Sequence, residues 1–444
     1  MMKSASILVS TIALSSATVA QPEIIIEQAK VLAGDPVSVR VHGLEPGSLA
    51  IINASRFNNR SRAWYDASAA FRADEQGRID PMADAPVAGR WTGADPTGLF
   101  WSMQRAEPQA DPPATSRAWG LVTFSVDADA DGMPDATGEV ELLRGRDDLV
   151  EIPVGDSMPG AFLMRPPGDD RLPVVIALGG SEGNDGAARS VGRQLASRGF
   201  AVLGLPYHSP AWGDQEQKFP ELPRAFANLP LEPLRDARDW IRTRDDLDGE
   251  RIGIWGVSKG GEFALAGASR IEGFAAIVAY VPSDVIWEGW GVGRGQPSPS
   301  SFSWEGEPLP FVPYLGMGAE FAKGQRDQPV KIRLAHDAGR LANPDRIAEA
   351  RIEVEIIDEP VMLVGGDGDT TWDSGDMVRN IKERRDAAGL ETLLIVDREA
   401  GHGLSGHAYT PLDRHDAAVR REAFRVMIEF FRTHLGADET NGGK

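Results

Sequence analysis

Nearly unbroken apolar runs that end in glycine are the feature of this sequence that most restricts its fold. Val174–Leu178 runs into Gly179-Gly180, and Ile252–Trp255 runs into Gly256. Strands that are apolar at successive rather than alternate positions are buried on both faces, as in parallel sheets covered by helices. Helical patterns separate or follow such runs at 187–198, 231–242, 258–268 and 417–434. From about residue 147 onward, this order predicts a mostly parallel sheet with helices on both faces.

The chain has a different character before residue 147. Val37–Val41 alternates apolar and polar residues, which is typical of a half-buried strand, and Leu121–Val126 and Glu139–Leu143 flank a turn. Short strands at this spacing predict an immunoglobulin-like β-sandwich. We therefore expect an N-terminal β-sandwich domain at 21–146 and a catalytic domain at 147–438. Within the second domain, residues 282–350 are rich in Gly, Pro, Ser and Trp without a regular period, and we expect a lid-like excursion there.

The first twenty residues resemble a secretory signal peptide. Lys3 precedes an uncharged run from Ile7 to Val19, and the run ends in the small residues Thr18-Val19-Ala20. Residues 1–20 are therefore predicted to be removed on export, and the mature protein is expected to be periplasmic or secreted. No later run approaches 18 uncharged apolar residues, so no stable membrane insertion is expected after cleavage.

Charge and cysteine content exclude several classes of function. The formal net charge of −20 argues against nucleic acid as a partner, which leaves a small-molecule substrate as the expectation. The chain has no cysteine, so disulfides, zinc–cysteine sites and thiol nucleophiles are excluded. The sequence does not predict an oligomeric state.

One motif predicts the chemistry. Gly256-Val257-Ser258-Lys259-Gly260 matches G-x-S-x-G and lies directly after a predicted strand and directly before a predicted helix. In that context the motif is the nucleophile elbow of an α/β hydrolase, with Ser258 as the nucleophile. The predicted fold class is therefore an α/β hydrolase preceded by an immunoglobulin-like β-sandwich. No cofactor is expected, and no residue is assigned as a metal ligand.

A serine hydroxyl needs a histidine base that a carboxylate orients, in the chain order Ser, acid, His. Of the seven histidines, His402 follows the last predicted strand and is flanked by glycines, and His407 is the alternative. The acid should lie in the loop after Val361–Val364. Three aspartates are candidates there: Asp367, Asp369 and Asp373. The pattern favours Asp369, at the tip of the loop.

The oxyanion of an acyl-transfer intermediate needs two backbone N–H donors. One is expected from Lys259, which follows the nucleophile. The other is expected from the loop after the first long strand, at Gly180, because glycine lets the backbone approach a substrate closely.

The elbow sequence Gly256–Leu265 resembles that of the acyl-CoA thioesterase and bile acid-CoA:amino acid N-acyltransferase family. Segments of both predicted domains are similar to that family in the same order, so the resemblance covers nearly all of the mature chain. They are Phe71–Asp74, Asp84–Pro86, Gly93–Ser102, Leu229–Glu232, Trp304–Pro310 and Gly366–Ser374. The resemblance implies a triad of Ser258, Asp369 and His402.

The resemblance also implies the reaction class. Family members that conjugate amino acids carry a cysteine nucleophile, so this chain resembles the serine, hydrolytic branch, in which water resolves the acyl-enzyme. The predicted function is that of a serine hydrolase that cleaves a thioester or carboxylic ester. An exported protein would rarely meet acyl-CoA, so the acyl chain and the leaving group stay open. The alternatives are a non-catalytic binding protein on a hydrolase fold and a peptidase or amidase that uses the same triad.

A weaker motif remains. Asp127-Ala128-Asp129-Ala130-Asp131-Gly132 matches the start of a calcium loop, but its twelfth position is Gly138 where the bidentate glutamate should stand. The segment is therefore predicted to be a polar hairpin turn, and calcium binding at Asp127–Asp131 stays the open alternative.

Overall fold

A computed structural model describes residues 21–114, 118–211, 216–293 and 299–436. The predicted signal peptide, residues 1–20, lies outside the described residues. Among the helices described, none is both long enough and apolar enough to cross a membrane.

The N-terminal region is built from strands in two sheets of unequal size. A six-stranded sheet has the order β2-β8-β7-β4-β5-β6, and β1 and β3 form an antiparallel pair. The two sheets share one apolar core, as expected of a sandwich. The strands are β1 (Glu23–Ile26), β2 (Lys30–Leu32), β3 (Val39–His42), β4 (Leu49–Asn58), β5 (Ala63–Arg72), β6 (Gln104–Arg105), β7 (Leu121–Asp127) and β8 (Ala136–Leu143).

An eight-stranded sheet of order β19-β18-β15-β14-β11-β12-β10-β9 forms the centre of the rest of the chain. The six strands β19, β18, β15, β14, β11 and β12 pair in parallel with their neighbours in this order. Strands β10 and β9 continue the sheet as an antiparallel edge that the sequence did not predict. A three-stranded sheet has the order β13-β16-β17. The strands are β9 (Val150–Pro153), β10 (Phe162–Arg165), β11 (Leu172–Leu178), β12 (Ala201–Gly204), β13 (Leu229–Pro230), β14 (Leu247–Val257), β15 (Ala276–Tyr280), β16 (Phe302–Trp304), β17 (Glu307–Pro308), β18 (Val361–Gly366) and β19 (Thr392–Asp397).

Helices cover both faces of the eight-stranded sheet, which confirms the predicted α/β architecture. One apolar cluster includes side chains of α2 and α9, and a second includes side chains of α3, α4 and α8. The helices are α1 (Gly98–Trp101), α2 (Gly186–Ala196), α3 (Glu232–Arg242), α4 (Lys259–Ala268), α5 (Met317–Gly324), α6 (Arg333–Ala342), α7 (Pro344–Ala350), α8 (Ser374–Ala387) and α9 (Arg414–Leu435), with a 3-10 turn at Val354–Ile356. The chain leaves β11 for β12 on one side and returns to β14 on the other. The ends of β11 and β14 therefore flank the switch point at which open α/β sheets place their sites.

Residues 282–350 contain regular structure despite their irregular composition: β16, β17, α5, α6 and α7 all lie there. The start of α6 packs on the loop after β18. The backbone N–H of Arg333 donates to Thr370 O at 2.9 Å, and its guanidinium donates to the carbonyls of Asp367 and Asp369. The excursion therefore lies over the carboxyl edge of the sheet, beside the loop that carries Asp369.

The N-terminal region packs against the loop that joins β19 to α9. The Tyr409 hydroxyl donates to Asp35 O at 2.7 Å, and Arg56 donates to Tyr409 O at 3.3 Å. Phe100 meets the Tyr409 ring edge-on with centroids 4.6 Å apart, and Arg421 of α9 forms an ion pair with Asp95. Tyr409 is thus part of the N-terminal apolar core although it belongs to the C-terminal part of the chain.

Candidate active site

Ser258 occupies a strained turn between β14 and α4. Its φ of 57° and ψ of −121° lie in a region that non-glycine residues rarely adopt, as expected of a nucleophile elbow. The flanking glycines are required sterically. A Cβ at Gly256 would lie 2.2 Å from Gly260 O, and a Cβ at Gly260 would lie 2.3 Å from Gly179 O. The turn therefore presses against the end of β11 and presents Ser258 at the switch point.

His402 follows β19 and reaches Ser258 from the neighbouring loop. Its Nε2 lies 2.9 Å from Ser258 Oγ, and its Nδ1 lies 2.7 Å from Asp369 Oδ2. The Asp369 side chain is fully buried, whereas the His402 ring is about a quarter exposed. A carboxylate on Nδ1 leaves Nε2 free to accept a proton from the serine. The structure therefore brings the three residues that the sequence favoured into one hydrogen-bonded chain.

The loop after β18 separates the three candidate aspartates by their partners. Thr371 N–H donates to Asp369 Oδ1 at 2.7 Å, which leaves Oδ2 to the histidine. Asp367 instead forms a bidentate pair with Arg379 of α8. Asp373 caps the N-terminus of α8 and pairs with Arg333. Asp369 alone of these three candidates contacts His402 in the part of the chain described.

His407, the alternative base, lies away from the elbow. Its ring packs against Trp119, Tyr409 and Phe424, and burial lowers its pKa to about 4. Its Nδ1 accepts a hydrogen bond from Tyr409 N–H. This histidine therefore belongs to the contact between the two regions.

The two predicted oxyanion donors both lie beside Ser258, but one of them is engaged. Lys259 is the first residue of α4, where a backbone N–H has no partner within its own helix. A Cβ at Gly180 would lie 3.3 Å from Ser258 Cβ, so the Gly180 backbone is also close to Ser258. Gly180 N–H, however, donates to Glu182 Oε1 at 3.1 Å. The sequence offered no sign that this exposed carboxylate folds back over its own loop.

The Lys259 side chain forms a buried ion pair that sequence reasoning missed. Its Nζ lies 2.9 and 2.8 Å from the two carboxylate oxygens of Glu262 and 2.8 Å from Ser301 Oγ. Burial lowers the pKa of Lys259 and raises that of Glu262, and their mutual attraction opposes both changes. Trp287 N–H also donates to Glu262. The pair therefore ties the elbow helix to the excursion, which contains Ser301 and Trp287.

A second contact joins the excursion to His402. Trp372 packs edge-on against His402 with ring centroids 5.3 Å apart, and His336 of α6 packs on Trp372 at 5.5 Å. Trp372 Nε1 donates to Val281 O. Burial lowers the pKa of His336 to about 4, so this ring stays neutral near pH 7. The His402 ring therefore lies between the Asp369 carboxylate on one side and the Trp372 ring on another.

Comparison with known families agrees with this architecture. Residues 34–140 match the family described as the acyl-CoA thioester hydrolase/BAAT N-terminal region, and residues 229–423 match the BAAT/acyl-CoA thioester hydrolase C-terminal family. Residues 160–290 match the dienelactone hydrolase family. The two parts of one two-domain family therefore occur in this chain in their proper order.

Individual relatives cover most of the chain. Acyl-coenzyme A thioesterase 2, mitochondrial, of Rattus norvegicus is 28% identical over 394 residues, which span 83% of this chain and 76% of that protein. Acyl-coenzyme A thioesterase 1 of Mus musculus is 27% identical over 435 residues, 91% of this chain and 94% of that protein.

Two solved structures are more distant. A Pyrobaculum calidifontis esterase is 16% identical with a TM-score of 0.40, over 66% of this chain and 87% of its own. A putative dienelactone hydrolase of Klebsiella pneumoniae is 18% identical with a TM-score of 0.38, over 61% and 91%. By its paired N- and C-terminal regions, the chain belongs to the acyl-CoA thioester hydrolase/BAAT family.

Proposed function

We propose that this protein is a serine hydrolase that cleaves a thioester or carboxylic ester through an acyl-enzyme on Ser258. The observation that supports the proposal is the hydrogen-bonded chain Ser258–His402–Asp369 at the switch point of the sheet. Membership of a thioester hydrolase family supports the same reaction class.

In the first half-reaction, His402 Nε2 takes the proton of Ser258 as Oγ attacks the carbonyl carbon. Asp369 holds His402 in the tautomer with a proton on Nδ1 and stabilises the imidazolium that forms. The tetrahedral oxyanion accepts hydrogen bonds from the N–H groups of Lys259 and Gly180. Collapse of this intermediate expels the thiolate or alkoxide, which receives the proton from His402. The acyl group stays on Ser258 Oγ.

In the second half-reaction, water occupies the position of the leaving group. His402 removes a proton from that water, the hydroxide adds to the acyl carbon, and Ser258 leaves with the proton returned. For either oxyanion to form, the Glu182 carboxylate has to leave Gly180 N–H. A negative charge at that donor opposes a second one.

The relatives and the predicted export support different substrates. The relatives named above are acyl-coenzyme A thioesterases, which supports an acyl-CoA thioester as substrate. Export would separate the enzyme from acyl-CoA, which supports a carboxylic ester or another thioester instead. Initial rates on acyl-CoA, followed by thiol release, and on p-nitrophenyl esters of matched chain length distinguish these two substrates.

The decisive experiment compares two serines of one helix region. Ser258→Ala should abolish both the burst of p-nitrophenol and labelling by a fluorophosphonate, since only an activated serine reacts. Ser269→Ala is the matched control, because this buried serine follows the other end of α4 and its hydroxyl donates to Ala266 O. It should retain burst and labelling. Equal turnover by wild type and Ser258→Ala would refute the proposal.

The two alternative functions give different outcomes in the same assays. A non-catalytic binding protein would show neither labelling nor burst in the wild type. A peptidase or amidase would be labelled but would turn over peptide amides at rates comparable with esters.

We further propose that residues 1–20 direct export and that the mature chain divides into domains at 21–146 and 147–438. The separate sheets β1–β8 and β9–β19 support this division. Cell fractionation of the full chain, with mass analysis of the N-terminus, tests the export; an unprocessed cytosolic product would refute it.

A further inference from the structure

The hairpin between β7 and β8 carries a group of acidic side chains that the proposed reaction does not use. One carboxylate oxygen from each of Asp127, Asp129 and Asp135 lies within 4.8 Å of the others. The segment 127–136 contains no lysine or arginine, and within the described chain no basic side chain forms an ion pair with these three residues. Three carboxylates at this spacing repel one another unless a cation lies between them.

The buried member of the group has an oxygen without a partner. Asp127 is 6% exposed, and its Oδ2 accepts the N–H of Gly132 at 2.9 Å, so its carboxylate turns into the loop. Its Oδ1 is buried and has no hydrogen-bond partner among the described residues. A buried carboxylate oxygen without a donor is costly, and a bound cation is one of the groups that satisfy it.

The order of residues along the loop matches the ligand order of a calcium loop. Positions one, three and nine are Asp127, Asp129 and Asp135, and position six is Gly132 with φ 87°, as the sharp turn of such a loop requires. Calcium takes six to eight oxygen ligands in flexible geometry, so three carboxylates and water can complete its shell.

We propose that the β7–β8 hairpin is a calcium site, with Asp127, Asp129 and Asp135 as its protein ligands. The bidentate glutamate of the twelfth position is absent. That position is Gly138 in β8, and the adjacent Glu139 accepts a hydrogen bond from Thr123 across the sheet. Asp131, at position five, accepts the N–H of Met133 and lies outside the group. With few charged ligands the site belongs to the weak class, of the order of 10⁻⁴–10⁻³ M, that extracellular modules use.

Isothermal titration of EDTA-treated mature chain with CaCl₂ tests the site directly. We expect one site per chain with an affinity in that weak range, and a melting temperature that rises with calcium concentration. The same titration with MgCl₂ should show at least about tenfold weaker binding, because magnesium demands stricter octahedral geometry.

Two variants locate the binding. Asp129→Asn removes an exposed ligand and should weaken calcium binding by about tenfold or more without affecting the fold. Asp127→Asn removes the buried ligand and should abolish the calcium-dependent rise in melting temperature. Asp169→Asn, in an exposed turn between β10 and β11, is the matched control and should bind calcium as the wild type does. Absence of binding at millimolar calcium, equal affinity for magnesium, or unchanged affinity in Asp129→Asn would each overturn the proposal.

Discussion

The buried pair of Lys259 and Glu262 offers the sharpest test of how the elbow is supported. Substituting Lys259→Met keeps the length and the apolar part of the side chain but leaves the Glu262 carboxylate without its cation. The side chains are 2% and 0% exposed, so water cannot replace the lost partner. Breaking a buried pair costs about 3–5 kcal/mol, mainly because the remaining charge stays unpaired.

This cost can be converted into a melting temperature. At roughly 2–4 °C per kcal/mol for domains of about 150–250 residues, Lys259→Met should lower the Tm by at least about 6 °C in differential scanning calorimetry. The double variant Lys259→Met/Glu262→Gln removes both charges but keeps an acceptor for the N–H of Trp287. It should recover most of the loss. Lys382→Met breaks an exposed pair with Asp386 and should change stability by less than about 1 kcal/mol.

The pH dependence of the melting temperature gives an independent test of this interpretation. Burial already raises the pKa of Glu262, and removal of Lys259 raises it further. A carboxyl whose folded pKa lies above its unfolded value stabilises the fold below the unfolded pKa and loses that contribution as pH rises. The Tm deficit of Lys259→Met should therefore be smaller at pH 5 than at pH 8. The single variant Glu262→Gln completes the comparison. If the Tm loss of the double variant equalled the sum of the losses in Lys259→Met and Glu262→Gln, the pair would contribute only packing and our reasoning would be refuted.

Three further expectations follow from the site. Asp369→Asn should keep the fold but lower kcat by roughly 10³–10⁴-fold in ester hydrolysis, because it stabilises the wrong tautomer of the base; a loss below tenfold would contradict its orienting role. Glu182→Ala should raise kcat about fivefold, since an exposed hydrogen bond of about 1 kcal/mol no longer competes for Gly180 N–H, and an unchanged or lower kcat would mean that the carboxylate does not obstruct the oxyanion. His336 stays neutral when folded down to about pH 4 but is protonated near 6.5 when unfolded, so stability should fall as pH drops from 6.5 to 4. His336→Gln should make that fall smaller in thermal unfolding curves, and an identical slope would refute the assignment.

The sequence predicted the parallel sheet well because its signal is local. Runs such as Val174–Leu178 are apolar at every position, and the structure buries them on both faces. The same holds for the elbow, whose glycines and serine are consecutive. The edge strand β10, Phe162–Arg165, was not predicted because it has only four residues, and its pairing with β12 joins residues distant in sequence, such as Phe162 and Gly204.

The residues around the triad were harder to predict because their partners come from far along the chain. The loop aspartates differ by their arginine partners: Arg333 lies 40 residues before Asp373, and Arg379 follows Asp367 by 12 residues. The Lys259–Glu262 spacing is local, but i,i+3 pairs are usually solvated, and only the packing of Ser301 and Trp287 shows that this one is buried. Helices α5, α6 and α7 were missed because they lie in a segment whose composition suggested irregular loops.

The contact around Tyr409 restricts how this protein can be recombined with its relatives. The loop that carries His402 continues to Tyr409, whose ring and hydroxyl rest on Phe100 and Asp35 of the N-terminal region. A chimera with a foreign N-terminal region would keep the whole triad and yet lose the support at one end of the histidine's loop. A functional exchange of the N-terminal region therefore has to keep the residues that contact Tyr409. The two regions are in this sense inherited as one unit rather than as separate modules.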